Sequence, residues 1–294
     1  MTSSLDDAYE YCRRLTKERA KNFYYASITL PREQRKAIYA AYAFCRHCDD
    51  YSDDDLAYEQ KLVLLAGYRE SLAKAFDETP SDPLFSALRD TAEKYHIPKK
   101  YFDEIISGVE MDLSLRRYRT FDDLFTYCYR VAAVVGLICV QIFGYKDPRA
   151  QEYAVDLGVA MQLANILRDI KEDAGRDRIY IPQEDLQRFG YSEQDLLRGM
   201  INQPFVEMMR FEVERARDYF ERGSKLLPLL PLRSRACPAV LRGIYKAVLG
   251  RIEQGNYDVY SQRMRLRTRE KLRLTGRIWV GTWVKGLLTA GKLS

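Results

Sequence analysis

A single all-α domain is the fold this sequence predicts, and three observations carry the prediction. Apolar residues recur with the 3.6-residue helical period along the whole chain, and no run alternates with the period of 2 that marks a strand. Turn signals at Thr79-Pro80-Ser81-Asp82-Pro83, Ile97-Pro98 and Tyr145-Lys146-Asp147-Pro148 cut the middle into segments of ordinary helical length. No linker and no internal repeat divides the 294 residues, so one domain spanning 1–294 is expected, although length alone suggests about two.

Composition narrows the class. Hydrophobic residues make up 47% and charged residues 30%, as in an ordinary soluble globular chain. A net charge of +5 is too mild to argue for a nucleic-acid partner. The start, Met1 to Glu10, has neither the basic flank nor the apolar run of a signal peptide. The longest apolar run, Val131 to Val140, is well short of the roughly 18 residues that span a bilayer. Six cysteines outside any extracellular context read as reduced thiols, and a cytoplasmic location is expected. Twenty-two tyrosines suit a chain that lines large apolar spaces.

Taken in order, Leu5 to Ala20 reads as the first helix. Pro31 to about Asp50 is the second, with proline in the first turn where its missing N–H is harmless. Thr120 or Asp122 caps a helix running through Tyr127 to Phe143. Gly158 to Ala174 is the next strong helix, followed by a Gly-Arg-rich turn over Gly175 to Pro182 and a short helix near Ser192. Long helices follow at about 202–224 and 236–260.

The helix after Gly158 carries the chemistry. Gln162, Asn165, Asp169 and Asp173 fall within an arc of about 80°, while Val159, Ala160, Leu163, Ala164, Ile166, Leu167 and Ile170 cover the other sides. A helix apolar nearly all round is buried, so its polar stripe should face a cavity. The two aspartates stand about 6 Å apart along the axis by the 1.5 Å rise, a repulsive arrangement unless a cation or donor balances it. Carboxylate and amide oxygens with substrate phosphates are the usual setting for Mg²⁺. An acidic pair on a solvated face is the bland alternative, and the apolar surroundings argue against it.

A second stripe matches the first. Tyr42, Arg46, Asp49 and Asp53 share an arc of about 60° by the same period. The run Asp49 to Asp55 is no EF-hand loop, since it has no glycine at the sixth position and no glutamate in register at the twelfth. Asp54 and Asp55 are assigned to a solvated helix end. Two facing aspartate pairs would hold two or three Mg²⁺ ions, which would bind a diphosphate and make it a good leaving group. Cys45-x-x-Cys48 with His47 lacks a second ligand pair for zinc, and His96 reads as a loop histidine. No strand precedes a G-x-G-x-x-G, so a Rossmann nicotinamide site is not expected.

The pair Arg46-x-x-Asp49-Asp50-x-x-Asp53 and the run Gln162-x-x-Asn165-x-x-Arg168-Asp169-x-x-Glu172-Asp173 resemble the two signatures of the squalene/phytoene synthase family. The resemblance extends to Arg178-Ile179-Tyr180-Ile181-Pro182, Tyr127-Cys128-Tyr129-x-Val131-Ala132 and Asn256-Tyr257-Asp258-Val259, from about Tyr11 to Leu274. It implies an isoprenoid synthase bundle of helices around a central cavity, joining two prenyl diphosphates head to head. It also implies that Asp49, Asp53, Asp169 and Asp173, with Asn165, hold Mg²⁺. Arg46 and Arg178 would clamp diphosphate oxygens, with Gln162, Arg168, Tyr42, Tyr180 and Tyr257 in the substrate site. Tyr127 would stand near the reacting carbons, stabilising a cation through its ring face and moving a proton; a core tyrosine is the alternative. Val131, Ala132, Val135 and Gly136 suit a wall for a prenyl chain.

Where many members carry Ser or His before the Phe-Tyr of the first helix pair, this chain reads Lys21-Asn22-Phe23-Tyr24-Tyr25. With Cys48-Asp49-Asp50-Tyr51-Ser52-Asp53-Asp54, that version resembles the bacterial presqualene diphosphate synthases of hopanoid pathways. The implied reaction is condensation of two farnesyl diphosphates to presqualene diphosphate, with no NADPH expected. Squalene, dehydrosqualene or phytoene synthesis by the same family is the alternative. A terpene cyclase or elongase would lack the Gln-x-x-Asn-x-x-Arg-Asp run, and a non-catalytic relative acting as an interaction protein would have lost aspartates. From Ser261 onward nine Lys/Arg meet one acid, Glu270, while Trp279, Val280, Trp283, Val284, Leu287 and Leu288 form an apolar stripe. The tail 276–294 is therefore read either as a final packed helix or as an amphipathic helix on an anionic membrane surface.

Overall fold

A computed structural model describes residues 4–53, 56–261 and 263–290; the side chains at 21, 22, 52, 53 and 282–290 lie outside that description. The described chain is helical. In order the helices are α1 (Leu5–Arg19), α2 (Lys21–Ser27), α3 (Arg32–Asp53), α4 (Tyr58–Asp77), α5 (Pro83–Tyr95) and α6 (Lys99–Ser114). Then come α7 (Phe121–Cys128), a π-helical segment (Tyr129–Ala133), α8 (Val134–Phe143) and α9 (Arg149–Ala174). The last six are α10 (Gln183–Arg188), α11 (Glu193–Arg198), α12 (Gln203–Ser224), α13 (Leu226–Leu229), α14 (Leu232–Gln254) and α15 (Thr268–Ala290). The only β contact among the described residues is a parallel bridge between Arg117 and Ile179.

Short polar side chains start these helices by taking up orphan N–H groups. Ser4 and Asp7 form a capping box on α1, and Thr120 and Asp123 do the same on α7, so Thr120 rather than Asp122 is the cap. Asp82, Ser192 and Asn202 cap α5, α11 and α12. The first expected helix continues after Ala20 as the separate short α2, and the second begins at Arg32, just past Pro31. The helix expected through Tyr127 to Phe143 is interrupted by the π segment. Periodicity cannot show this, because a π turn shifts the register by a single residue. The helix expected at 236–260 is Leu232–Gln254, ended by a turn in which Asn256 and Tyr257 take positive φ.

α9 is the axis of the molecule. It packs most extensively on α12 and also meets α8, the π segment and α14. Two glycines permit this closeness. A Cβ on Gly158 would stand 2.6 Å from Ala133 Cα, and one on Gly223 would stand 2.6 Å from Leu157 N. By length and composition Phe121–Phe143 is apolar enough to cross a membrane, although no unbroken apolar run in it is that long; here it packs within the bundle.

Candidate active site

Of the α9 stripe, Asn165 lines a polar cleft, while it is the apolar flank of α9, at Gly158 and Met161, that faces a cavity. Ala132, Val135 and Gly136 on one side and Gly158 and Met161 on the other line an apolar cavity of about 90 Å³. Val131 is not among its lining residues; it packs over Gly108, where an added Cβ would meet Val131 Cγ1 at 2.7 Å. Phe23 and Leu241 line the cavity and also a polar cleft beside it, which gathers Arg19, Tyr42, Asn165, Arg168, Tyr245 and Lys271. The cleft and the cavity therefore meet at Phe23, whose ring lies 5.4 Å from that of Tyr42.

The second part of the site is a buried tyrosine–aspartate cluster. The loops on either side of it are stitched together by main-chain bonds from Ile179 N to Arg116 O (3.0 Å) and from Gln183 N to Tyr118 O (2.9 Å). That stitching stacks Tyr180 on Tyr127, with centroids 5.1 Å apart, and Tyr118 on Tyr180 at 5.7 Å. Both Tyr180 and Tyr127 donate their hydroxyls to Asp112, at 2.7 and 3.0 Å. Burial foremost, then Asp112, raises the pKa of each of the three phenols, so they stay protonated, and Tyr127 and Tyr180 act as donors.

Asp112 is the residue sequence reasoning missed. It lies in Val109-Glu110-Met111-Asp112-Leu113 of α6, where two acids share one turn and nothing local says which of them faces the interior. Tyr245 and Phe23 were likewise given no role.

The carboxylates of α9 differ. Asp169 is held by Arg168 at 2.9 and 2.5 Å and by Arg263 at 3.0 Å. Asp173 is not neutralised in that way. Burial, then Asp169, with Asp112 adding to it, pushes its carboxyl up to about 7 against the pull of Arg178. Arg178 itself sits in the field of Asp112, and its Nε is buried without a partner. Asn165 Nδ2 donates to Gln162 Oε1 at 3.3 Å, which leaves the Asn165 oxygen available as a ligand.

On α3, Asp49 is exposed and Arg46 pairs with Asp50, its i,i+4 neighbour, through Nε at 2.8 Å. The Asp53 side chain, and those of Lys21 and Asn22, lie outside the described residues. Tyr257 is buried in the positive-φ turn after α14. That turn presents Tyr260 and Ser261 to a cleft shared with Arg168, Lys171 and Arg263.

Asp173, Asp169, Asp112 and Asn165 carry oxygens of the kind a hard divalent cation takes, and burial, then Asp169, raises Asp173. Among the described residues no three acids, histidines or cysteines form a ready-made metal cage. Mg²⁺ seldom uses one; it keeps waters and is completed by substrate phosphate.

Comparison with known proteins agrees with this geometry. The family described as squalene/phytoene synthase matches residues 16–270. The chain is 40% identical to the 15-cis-phytoene synthase of Synechococcus elongatus over 282 residues, 92% of each chain. It is 38% identical to the phytoene synthase of Mycobacterium tuberculosis, covering 90% of this chain and 88% of that one. Among solved structures, the squalene synthase HpnC of Alicyclobacillus acidocaldarius superposes with a TM-score of 0.82 at 32% identity, over 86% of this chain and 96% of that one. A dehydrosqualene synthase with bound ligand superposes with a TM-score of 0.87 at 28% identity, over 96% of this chain and 98% of the other.

Proposed function

This chain belongs to the squalene/phytoene synthase family, a family of prenyltransferase-type enzymes, and we propose that it condenses two geranylgeranyl diphosphates head to head to phytoene. The observation that carries the reaction class is the junction at Phe23 of an apolar cavity and a cationic, amide-bearing cleft. One end takes a prenyl tail and the other its diphosphate. The C20 substrate is supported by the 40% and 38% identities to phytoene synthases over about nine-tenths of the chain. That ordering puts phytoene ahead of the presqualene diphosphate expected from the Asn22-Phe23-Tyr24-Tyr25 resemblance.

Arg168, Asn165 and Lys271 receive one diphosphate in the cleft, while Ala132, Val135, Gly136 and Gly158 leave room for the chain behind it. Mg²⁺ held by Asp169, Asp173 and Asn165, with Asp49 and Asp53 from α3, would supply the charge withdrawal that lets diphosphate leave. The C1–O bond breaks with its electron pair going to diphosphate. The 2,3-double bond of the second substrate attacks C1, and loss of a proton closes a cyclopropane. A second ionisation, rearrangement and proton loss complete the C40 product without any reductant. The stacked faces of Tyr127 and Tyr180 flank the passing cations. Asp112 fixes both hydroxyls, so Tyr127 can relay a proton toward departing diphosphate. The apolar walls keep water from trapping the cation.

The test incubates purified protein and Mg²⁺ with farnesyl or geranylgeranyl diphosphate, with and without NADPH, and identifies products by mass spectrometry. Phytoene from the C20 substrate without NADPH is expected. Presqualene diphosphate from the C15 substrate would restore the second reading, which the similarity to the squalene and dehydrosqualene synthases favours. A product formed only with NADPH would point to squalene.

A further inference from the structure

Among the described residues four buried side-chain polar atoms lack a hydrogen-bond partner: Tyr118 Oη, Arg178 Nε, Arg235 Nε and Arg242 Nε. Such atoms are rare in folded proteins, and each calls for an explanation. The first two belong to the tyrosine–aspartate cluster, where a substrate would meet them. The other two lie together on the far side of α14, along a groove of about 480 Å³ between α13, α14 and α15.

The sequence builds this groove on one stripe of α14. Arg235, Ala239, Arg242, Gly243 and Lys246 fall on a single face by helical spacing. Gly243 admits α15, since a Cβ there would meet Ile278 Cδ1 at 2.5 Å. Arg235 spends Nη2 on the carbonyls of Pro228 (3.1 Å) and Leu230 (2.9 Å). Arg242 has no ion pair among the described residues, and burial lowers its pKa. Lys246 is lowered too, by burial first and then by Arg242 and Arg217, with Glu221 opposing. Arg217 is already paired with Glu253. The groove thus holds Arg235 and Arg242, neither with a carboxylate partner among the described residues, between walls formed by Leu227, Pro228, Ala239 and Ile278.

Cations set into apolar walls suit an amphiphile with an anionic head. The surface beside the groove narrows the choice. α15 exposes Leu272, Trp279 and Val280, seven and eight residues apart, with Arg273 and Arg277 exposed among them. Exposed tryptophan beside arginine is the arrangement that lies at a bilayer interface. We propose that the α13–α14–α15 groove seats the phosphate head group of an anionic bilayer phospholipid. Arg242 and Arg235 take the phosphate, and Leu227, Pro228 and Ile278 lie against the upper acyl chain. Docking there sets the outer face of α14 on the membrane while Cys237 and Pro238, on its inner face, line the reaction cavity. The site is independent of which prenyl diphosphate the enzyme uses.

Trp279 is exposed on α15, so its fluorescence reads this surface. Full-length protein is titrated with phosphatidylcholine vesicles, with and without phosphatidylglycerol, and binding is confirmed by flotation. Binding that requires phosphatidylglycerol is expected. Arg242→Gln should weaken it about tenfold while melting no earlier than wild type, because Arg242 has no partner to lose. Arg273→Gln removes the same charge from the open face and should cost about fivefold or less, the ordinary worth of one arginine near an anionic membrane. Soluble dihexanoyl-phosphatidylglycerol should displace the vesicles. Equal displacement by inorganic phosphate or farnesyl diphosphate would assign the groove to a free phosphate or a second prenyl site and overturn the proposal. So would binding to phosphatidylcholine alone, or equal losses in the two variants.

Discussion

Two buried carboxylate clusters sit within this fold, and their difference separates chemistry from structure. In one, Asp185 and Glu212 share Arg215, whose Nη1 lies 2.8 Å from Asp185 and 2.7 and 2.8 Å from the two oxygens of Glu212. The guanidinium lies over Phe121 and Phe211 at 4.2 and 4.6 Å, so the group is sealed. Two acids and one arginine leave one negative charge too many, and the cluster settles it with a proton. Burial foremost pushes Glu212 up to about 8, Arg215 pulling it down and Asp185 adding to the rise. In the other, no single guanidinium closes the group: Arg168 and Arg263 pair with Asp169 and Arg178 pulls on Asp173, yet burial and Asp169 keep the Asp173 carboxyl up at about 7 and Arg178 Nε stays unpaired. One arginine closes the first cluster; the second is open, with a buried guanidinium Nε left without a partner.

The largest expected effect breaks the open cluster. Asp169→Ala and Asp173→Ala should each lower kcat/KM at least a thousandfold, more than about 4 kcal/mol of transition-state stabilisation. Thermal melting without Mg²⁺ should be unchanged or slightly higher for Asp173→Ala, which removes a carboxyl held up by burial and Asp169, and lower for Asp169→Ala, which gives up the pairs with Arg168 and Arg263. Wild-type turnover in both would dissolve the site assignment.

Next comes the sealed cluster. Arg215→Ala strands two buried acids and should cost about 3 kcal/mol of stability, the low end for a broken buried pair, because one acid already carries a proton. Urea unfolding measures this. Specific activity of the remaining folded protein should stay near wild type, the reverse of the first result.

Asp112→Asn probes the boundary between the two kinds. The amide keeps an acceptor for one tyrosine hydroxyl but removes the charge, so kcat should fall about 10- to 100-fold, as when a group that orients first-contact residues is lost, while the melting temperature moves little. A destabilisation as large as that of Arg215→Ala would make Asp112 structural.

These residues also show what was legible. Gln162, Asn165, Asp169 and Asp173 share one helix, so the 3.6 period alone places them together. The Phe121–Phe143 helix was legible as apolar but not as broken, since the π turn depends on its fit against Gly158. Asp112 lies 68 residues from Tyr180, and only the stitching of two loops unites them. Arg46 shares an arc with Asp49 and Asp53 by angle and also pairs with Asp50, because two i,i+4 side chains can meet whatever stripe they belong to. Likewise Asp185 and Arg215 come from different helices 30 residues apart. No local pattern distinguishes Glu212, paired with Arg215 in the core, from Asp173 of the α9 stripe.

The smallest effect is the sharpest test of how the sealed cluster balances its charge. Glu212 in the unfolded chain titrates near its ordinary value of 4.5, and in the folded protein near 8. Between those values the folded state holds a proton that the unfolded state has released. Stability therefore falls as pH rises across that window, with a slope approaching about 1.4 kcal/mol per pH unit from this one group. Below about 4.5 both states are protonated, and the slope from Glu212 vanishes. Glu212→Gln keeps a neutral side chain at every pH and should flatten the profile between pH 5 and 8. Added Mg²⁺ should leave this slope in place, because the cluster is closed to ions. Denaturant unfolding of wild type and Glu212→Gln at half-unit pH steps would show it. Parallel profiles would mean that Arg215 keeps both acids ionised and that the sealed cluster carries its excess charge unrelieved.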